Sequence, residues 1–377
     1  MIQKKKIIRA TTIATSLETF CKDLLKELSN DYEVVALSSP GDTLDFVGQR
    51  EKVRTIGVKM ERHISPINDL ASLFKLIKIF HKEKPWLVHS MTPKAGLLCM
   101  IAAWITRVPR RVHTFTGLIW PTATGISRRI LMFTDKILCA CATHIIPEGE
   151  GVKRDIIAGE ITKKSMKVLA NGNVKGIDLD HYSLSNDVMM EASKLKKVGT
   201  FTYIFVGRIV RDKGIHELVD AFVKVHQEKP YTRLILVGRS EPHLDPLSHE
   251  TQHIINTHPA IEAVGPQKDV RPWFAVADAL TFPSYREGFP NVVIEAGAMG
   301  LPSIVTDING ANEIIIAGEN GIIIPSHDTN ALYNAMIEMH DNNKMREKMA
   351  TNARPLVAQR FDCHIVRKAL YDFYNTL

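Results

Sequence analysis

The chain has 377 residues, 45% of them hydrophobic, which is too long for one ordinary core and suits two domains of roughly 100–200 residues each. Lys plus Arg number 48 against 41 Asp plus Glu, a formal charge of +7, so anionic partners are expected: nucleotides, phosphates, nucleic acid or an acidic membrane surface. The five cysteines include no Cys-x-x-Cys pair, which argues against a disulfide framework or a zinc knuckle, and the longest apolar run, Ala95 to Ile105, falls short of the ~20 residues of a membrane span.

Lys4, Lys5 and Lys6 precede only two apolar residues before Arg9, so no secretory leader is expected. The chain reads as a protein of a reducing compartment, the cytoplasm, either soluble or peripheral on a membrane. KIIRATTI reads as a first strand and SLETFCKDLLKELS as a helix. VVALSS and VRTIGV follow, then a helix near Ile67–His81, the strand WLVHS, a helix near Lys94–Thr106 and the strand RVHTFTG. This order argues for an α/β fold, a parallel sheet covered by helices on both faces.

The alternation stops in NGNVKGIDLDHY and the polar helical stretch DVMMEASKLKKVG. It restarts with FTYIFVGRI, GIHELVDAFVKVHQE and TRLILVGR, and continues through IEAVGP, ALTFPS, PSIVTD and GIIIPS. Helices are expected at about Asp328–His340, Asn342–Gln359 and Asp362–Tyr374. The pattern gives a first domain over 1–180, a linker over 181–200, a second domain over 201–357 and a closing segment over 358–377. Two doubly wound halves of this kind face a cleft at the carboxyl ends of their strands.

Three strand-to-helix turns of the second half carry the chemistry. In the first, the strand ends near Gly207 and the helix begins near Gly214, so Arg208 and Lys213 flank a helix start, where a phosphate gains from cations and free N–H groups together. The second is REGFPNVVIE. Pro290 suits a first helical position, Gly288 permits close backbone approach, and the N–H groups around Phe289 to Val292 form an anion seat. Glu287 can accept from sugar hydroxyls or serve as a cap. Glu295, among apolar Val292, Val293, Ile294 and Ala296, can grip the vicinal hydroxyls of a ribose. The third turn, Thr306 to Ala311, reads as a helix start capped by Asp307 or Asn309.

GRIVRDKGIHELVDAF, LILVG, the dipeptide Ala277-Asp278 and FPSYREGFPNVVIEAGAMGLPSIVTD resemble, in this order, the donor half of family 4 glycosyltransferases. The Glu-x7-Glu spacing from Glu287 to Glu295 matches the family signature. HSMTPKAGLLCMIAA, RRVHTFTGLIW and LANGNVKGIDLDHY are similar to the acceptor half of bacterial members that build capsule or O-antigen polysaccharide on a lipid carrier. The resemblance implies the GT-B fold, two Rossmann-like domains with a final helix crossing back to the first. It implies a retaining, metal-independent sugar transferase with no cofactor, a nucleotide-sugar donor and a lipid-linked saccharide acceptor. By the same resemblance Arg208 and Lys213 bind the pyrophosphate, with Gly207 beside them. Glu287 contacts the transferred sugar, Glu295 the ribose, and the turn from Gly288 through Phe289 and Pro290 to Asn291 gives backbone N–H groups. Arg208, Lys213 and Glu287 form the implied catalytic set.

Two departures from the family mark the acceptor side. ATTIATSLET has no glycine where many members carry a Gly-Gly loop, leaving the hydroxyls of Thr11, Thr12, Thr15 or Ser16. Thr114-Phe115-Thr116-Gly117 puts Thr116 where many members carry a histidine, with His113 nearby. Lys94, at a helix start, can meet an acceptor phosphate or stand exposed. Arg107, Arg110, Arg111, Arg128, Arg129 and Lys136, among Trp104, Trp120, Leu131, Met132 and Phe133, suit an acidic membrane face. Asp178-Leu179-Asp180 reads as a turn rather than a metal site. His243, His249, His253 and His258 read as a solvated face. Two other readings compete: a UDP-sugar 2-epimerase of the same fold, and a non-enzymatic nucleotide binder. No nucleic-acid module, P-loop or GxGxxG occurs, so nucleic acid is not an expected partner.

Overall fold

Runs rich in Val, Ile and Leu that are apolar on both faces become central strands of parallel sheets, because helices cover them from either side. In the computed structural model, which describes residues 4–61, 65–241 and 245–377, two such sheets form. The first contains β1 (Lys6–Ala10), β2 (Glu33–Ser38), β3 (Arg54–Gly57), β4 (Leu87–Met91), β5 (Arg110–Phe115) and β6 (His144–Pro147), in the order β3-β2-β1-β4-β5-β6. The second contains β7 (Phe201–Val206), β8 (Thr232–Val237), β9 (Ile261–Gly265), β10 (Ala279–Phe282), β11 (Ser303–Thr306) and β12 (Gly321–Ile324), in the order β12-β11-β10-β7-β8-β9. Neighbours pair in parallel, β1 with β2 and β4, β7 with β8 and β10. Every residue of β4 and β8 is buried. Both sheets therefore have the doubly wound order of a Rossmann-like domain.

The chain divides into one unit of Met1–Lys175 with Val366–Leu377 and another of Gly176–Ile365. The stretch 181–200, expected as a linker, lies inside the second unit: its helix Asn186–Leu195 packs on the helix Arg271–Ala275. The helix Cys363–Asn375 belongs to the first unit from Val366 onward, where Leu370, Phe373 and Tyr374 join the core.

Local sequence and tertiary contacts disagree in one place. SLETFCKDLLKELS, with its helical spacing, forms two short helices, Ala14–Phe20 and Leu24–Leu28, broken at Asp23 with φ +61. The buried Glu51 carboxylate accepts from the N–H groups of Asp23 (3.0 Å) and Lys26 (3.2 Å) and so starts the second helix afresh. Glu51 ends the helix Asp42–Glu51, which the apolar pattern does not announce, since Leu44, Phe46 and Val47 are its only large apolar residues.

Candidate functional site

The first two turns of the second unit flank the point where its sheet reverses direction. β7 leads outward to β8 and β9, while β10 beside it leads the other way to β11 and β12, so the loops leaving their carboxyl ends diverge around a crevice. The loop after β7 carries Gly207, Arg208 and, on a 3-10 turn at Arg211–Lys213, Lys213. Gly214 lets the two loops touch: its φ is +68, and a Cβ there would stand 2.1 Å from the Pro283 carbonyl oxygen. As a result Lys213, only 9% exposed, reaches across and forms an ion pair with Glu287, its ammonium also 3.5 Å from the Ser284 hydroxyl. Tyr285 N–H donates to the Asp212 carbonyl (2.9 Å), and Arg286 pairs with the Asp212 carboxylate (3.2 Å). Arg208 is more open, its guanidinium 3.0 Å from Glu241 and 3.9 Å from Asp212.

The helix expected from Pro290 runs over Asn291–Ala298, with Pro290 at the N-cap, one position earlier than anticipated. Phe289 turns its side chain into the core, edge-on to Phe361 at 5.5 Å, so only its backbone serves the turn. Gly288 packs under the third turn: a Cβ on Gly310 would lie 2.6 Å from the Gly288 carbonyl. The helix Ala311–Ile314 is capped through Gly310, whose N–H donates to Glu313 (3.2 Å), rather than by Asp307 or Asn309. Asp307 instead accepts from the Asn312 amide at 2.7 Å.

Glu295 is half-buried on its helix and receives a hydrogen bond from the Tyr182 hydroxyl. Burial and the Glu295 charge both push the Tyr182 pKa upward, so this phenol stays a donor. Arg354 holds the strap that brings Tyr182 there, donating to the carbonyls of Leu179 (2.8 Å), Tyr182 and Ala298. The Asp178 carboxylate accepts from the N–H groups of Asp180 (3.1 Å) and His181 (3.0 Å), which makes Asp178-Leu179-Asp180 a turn.

In the first unit three of the four expected acceptor-side groups are bound up in the fold. The Thr12 hydroxyl meets Thr92 at 2.8 Å and accepts from Ala95 N–H at 3.1 Å, so it caps the helix Pro93–Ile105 rather than standing free. Lys94 pairs with Asp69 of the helix Pro66–Glu83 at 2.7 Å, instead of being an open phosphate seat or an exposed lysine. His113 is 1% exposed, hydrogen-bonded to Ser90 at 2.9 Å, and burial pushes its pKa down to about 3. It is a neutral core histidine, which removes it from the acceptor-facing set. Thr116 lies half-exposed just beyond β5.

His249 and His253 lie on the helix His249–Thr257, His258 rests edge-on to His226 at 5.1 Å, and His243 falls outside the described residues. Among the described residues, one group of potential metal ligands is close enough to share an ion: Asp362, Cys363 and His364, their ligand atoms within 4.8 Å of one another. They are consecutive residues at a helix junction rather than part of either turn.

Known proteins match this arrangement. The family model for the glycosyl transferase 4-like domain covers residues 16–172, and that for glycosyl transferases group 1 covers residues 200–342. The chain is 32% identical over 377 residues to the capsular polysaccharide biosynthesis glycosyltransferase CapM of Staphylococcus aureus, covering all of this chain and 98% of that protein. The chain belongs to the group 1 glycosyl transferases. It is also 28% identical over 354 residues to the UDP-Gal:alpha-D-GlcNAc-diphosphoundecaprenol alpha-1,3-galactosyltransferase of Escherichia coli, covering 92% of this chain and 89% of that one. Among solved structures, Anabaena Alr3699/HepE in complex with UDP superposes with a TM-score of 0.81 at 20% identity, over 99% of this chain and 100% of that one. The likeness establishes the GT-B fold.

In this glycosyltransferase the sequence names Lys213, Glu287, Arg208 and Glu295 as candidates, and it does not name Arg286, Tyr182 or Arg354, which pack around these turns. Arg286 stands in the quoted motif and its charge was the available signal. Nothing local marks Tyr182 or Arg354, because Glu295 lies 113 positions from Tyr182 and the partners of Arg354 lie 56 to 175 positions away in the chain.

Proposed function

We propose that the enzyme moves a sugar from a UDP-linked donor, with retention of anomeric configuration and without a metal, to a lipid-linked saccharide in the synthesis of a surface polysaccharide. The ion pair of Lys213 with Glu287 across the crevice carries this reading. A cation for the diphosphate and a carboxylate for the sugar hydroxyls stand side by side at the place where an open α/β sheet binds ligands. Negative charge grows on the departing diphosphate in the transition state; buried Lys213 meets it where Coulomb attraction exceeds that in water, and the more open Arg208 adds a second cation. These cations do the work a divalent ion would otherwise do. Glu295, steadied by Tyr182, holds the ribose. The activity of the Escherichia coli relative supports the UDP donor and the lipid diphosphate acceptor for this chain.

Membrane docking belongs to the same proposal. The helices Pro66–Glu83, Pro93–Ile105 and Gly125–Cys141 pack side by side, and they expose Ile67, Phe74, Trp104, Ile126, Ile130 and Phe133. Exposed Lys75, Lys78, Arg128, Arg129 and Lys136 lie among them. Apolar side chains interleaved with cations suit an acidic lipid surface, which is where a lipid-linked acceptor resides. The composition of this face differs from the sequence expectation. Trp120 is buried, Leu131 and Met132 are half-buried, and Arg110 and Arg111 are tied to the carbonyls of Leu377 and Cys141. Among the described residues no helix is long and apolar enough to cross a membrane.

The test is a thermal-shift panel of nucleotides and nucleotide sugars, with and without EDTA, on the wild type, Glu295→Gln and Glu287→Gln. The proposal expects an EDTA-insensitive rise in melting temperature with UDP ligands, lost in Glu295→Gln. Glu287→Gln is expected to keep UDP binding and lose turnover by about a hundredfold. Absence of any UDP-dependent shift in the wild type would overturn the donor assignment.

A further inference from the structure

A cavity of the first unit lies at the opposite end of its sheet from Thr12, Lys94 and Thr116. It measures about 710 Å³, within the range of roughly 300–1,000 Å³ typical of small-molecule sites, and sits beneath the amino ends of β1, β4 and β5. Six cations line it: Lys4, Lys5, Lys6, Lys82, Lys84 and Arg107. Glu33 and Glu83 are the two carboxylates of the lining, so the formal charge is +4. Lys6 (2.8 Å) and Arg54 (hydrogen bond 2.9 Å) saturate Glu83, and Lys6 also lies 3.2 Å from Glu33. Lys4, Lys5, Lys82, Lys84 and Arg107 are exposed, and none of them makes an ion pair among the described residues. Lys5 rests its ammonium 4.2 Å from the Trp86 ring centroid, which holds the charge at the wall without neutralising it.

Two of these cations occupy costly backbone positions. Lys84 caps the helix Pro66–Glu83 with φ +46, and Arg107 follows the helix Pro93–Ile105 with φ +56. Glycine is the favoured residue after a helix in this left-handed region, where other residues cost on the order of 1 kcal/mol. Charge at a helix carboxyl end does offset the macrodipole, but each end carries only about half a negative charge, so two ends balance about one of the five unpaired cations. The remaining positive charge has no carboxylate partner among the described residues; Lys4 reaches only the neutral Ser29 carbonyl, at 2.9 Å.

We infer that this cavity is a second anion site, distinct from the donor crevice, and that it takes a phosphate-bearing ligand. The chemistry is shared by a free di- or polyphosphate and by the phosphate of a lipid headgroup. A lipid source gains support from position: Trp104 and Ile105, both exposed, immediately precede the lining residues Thr106 and Arg107.

The test is calorimetric titration of the full-length protein with inorganic pyrophosphate, and separately with monomeric dihexanoyl phosphatidylglycerol. Three proteins are compared: the wild type, Lys84→Gly/Arg107→Gly, and Arg208→Gln/Lys213→Gln. The glycine variant keeps, and even eases, the left-handed backbone, so its melting temperature is expected to hold or rise while anion affinity at this site falls about tenfold or more. The Arg208→Gln/Lys213→Gln variant is expected to retain the site and to lose only UDP binding, so failure of the donor reading and failure of this one are separable. Tighter binding of pyrophosphate assigns a free phosphate ligand, and tighter binding of the phosphatidylglycerol assigns a headgroup; either result supports the site. Anion binding that survives unchanged in the glycine variant, or that is abolished by Arg208→Gln/Lys213→Gln alone, would overturn it.

Discussion

At the scale of single residues, burial decides charge state. His113 and His89 are both 1% exposed, and desolvation keeps each imidazole neutral far below its ordinary pKa. The unfolded chain takes up their protons below about pH 6.5, while the folded chain binds none at His113 until about pH 3. The stability they contribute is therefore complete above pH 6.5 and is lost progressively as the pH falls from there toward 3. The expected outcome in a histidine-labelled NMR titration is that the His113 Cε1–H signal, assigned by its absence in His113→Gln, does not move between pH 8 and 5. A titration midpoint near 6.5 would refute the buried neutral assignment. The same scale explains why Lys213 and Glu287 are legible from sequence whereas Tyr182 is not. The first two sit in a motif whose chemistry is local, next to a helix start, while Tyr182 acquires its role only when Arg354 draws residues 179–182 against Ala298.

At the scale of elements, amphipathic pattern tells which face of a helix meets the sheet, and the unused face becomes informative. The helix Gly125–Cys141 buries Leu138 and Cys139 and leaves Ile126, Ile130 and Phe133 exposed at i, i+4 and i+7, with Arg128 and Arg129 between them. Arg128 lies 5.8 Å from the Trp120 ring centroid, so that buried tryptophan backs the basic face. Full burial of one large apolar side chain is worth about 1.5–3 kcal/mol. Ile126→Asp/Phe133→Asp is thus expected to lower co-sedimentation with acidic vesicles by at least about tenfold, with the melting temperature held because both positions are exposed. A wild type that stays in the supernatant with acidic vesicles at low salt would end the docking proposal. Element boundaries were the least legible part of the fold: Glu51, 28 positions away in sequence, restarts a helix at Asp23 that the apolar spacing alone runs straight through.

At the scale of the whole molecule, the closing helix is keyed into the first unit by a buried polar cluster. Arg9, 2% exposed and with no carboxylate partner among the described residues, donates to the Tyr374 hydroxyl (2.8 Å), and His89 lies 2.6 Å from both groups. His89 Nε2 continues the chain to Thr114 at 2.7 Å. Removing the hydroxyl leaves a buried guanidinium short of a partner, so Tyr374→Phe is expected to cost about 1–3 kcal/mol in urea unfolding. Equality with the wild type would show that Arg9 is satisfied without it. The doubly wound class of both halves was readable because strand and helix periods differ and alternate plainly along the chain. The donor loops were readable because anion binding at a strand end requires a few residue types close together in sequence.

The sequence by itself determined the two parallel sheets and the membership in a glycosyltransferase family, and it singled out Arg208, Lys213, Glu287 and Glu295 as candidates at the turns of the second unit, since each rests on short-range pattern. Only the tertiary structure decided that Thr12, Lys94 and His113 are spent on capping, helix tethering and core packing, that 181–200 belongs to the second unit, and that Lys4, Lys84 and Arg107 gather around one cavity. The physical reason is the same in each case. A side chain's role depends on which partners burial brings within hydrogen-bond or Coulomb range, and those partners come from distant parts of the chain.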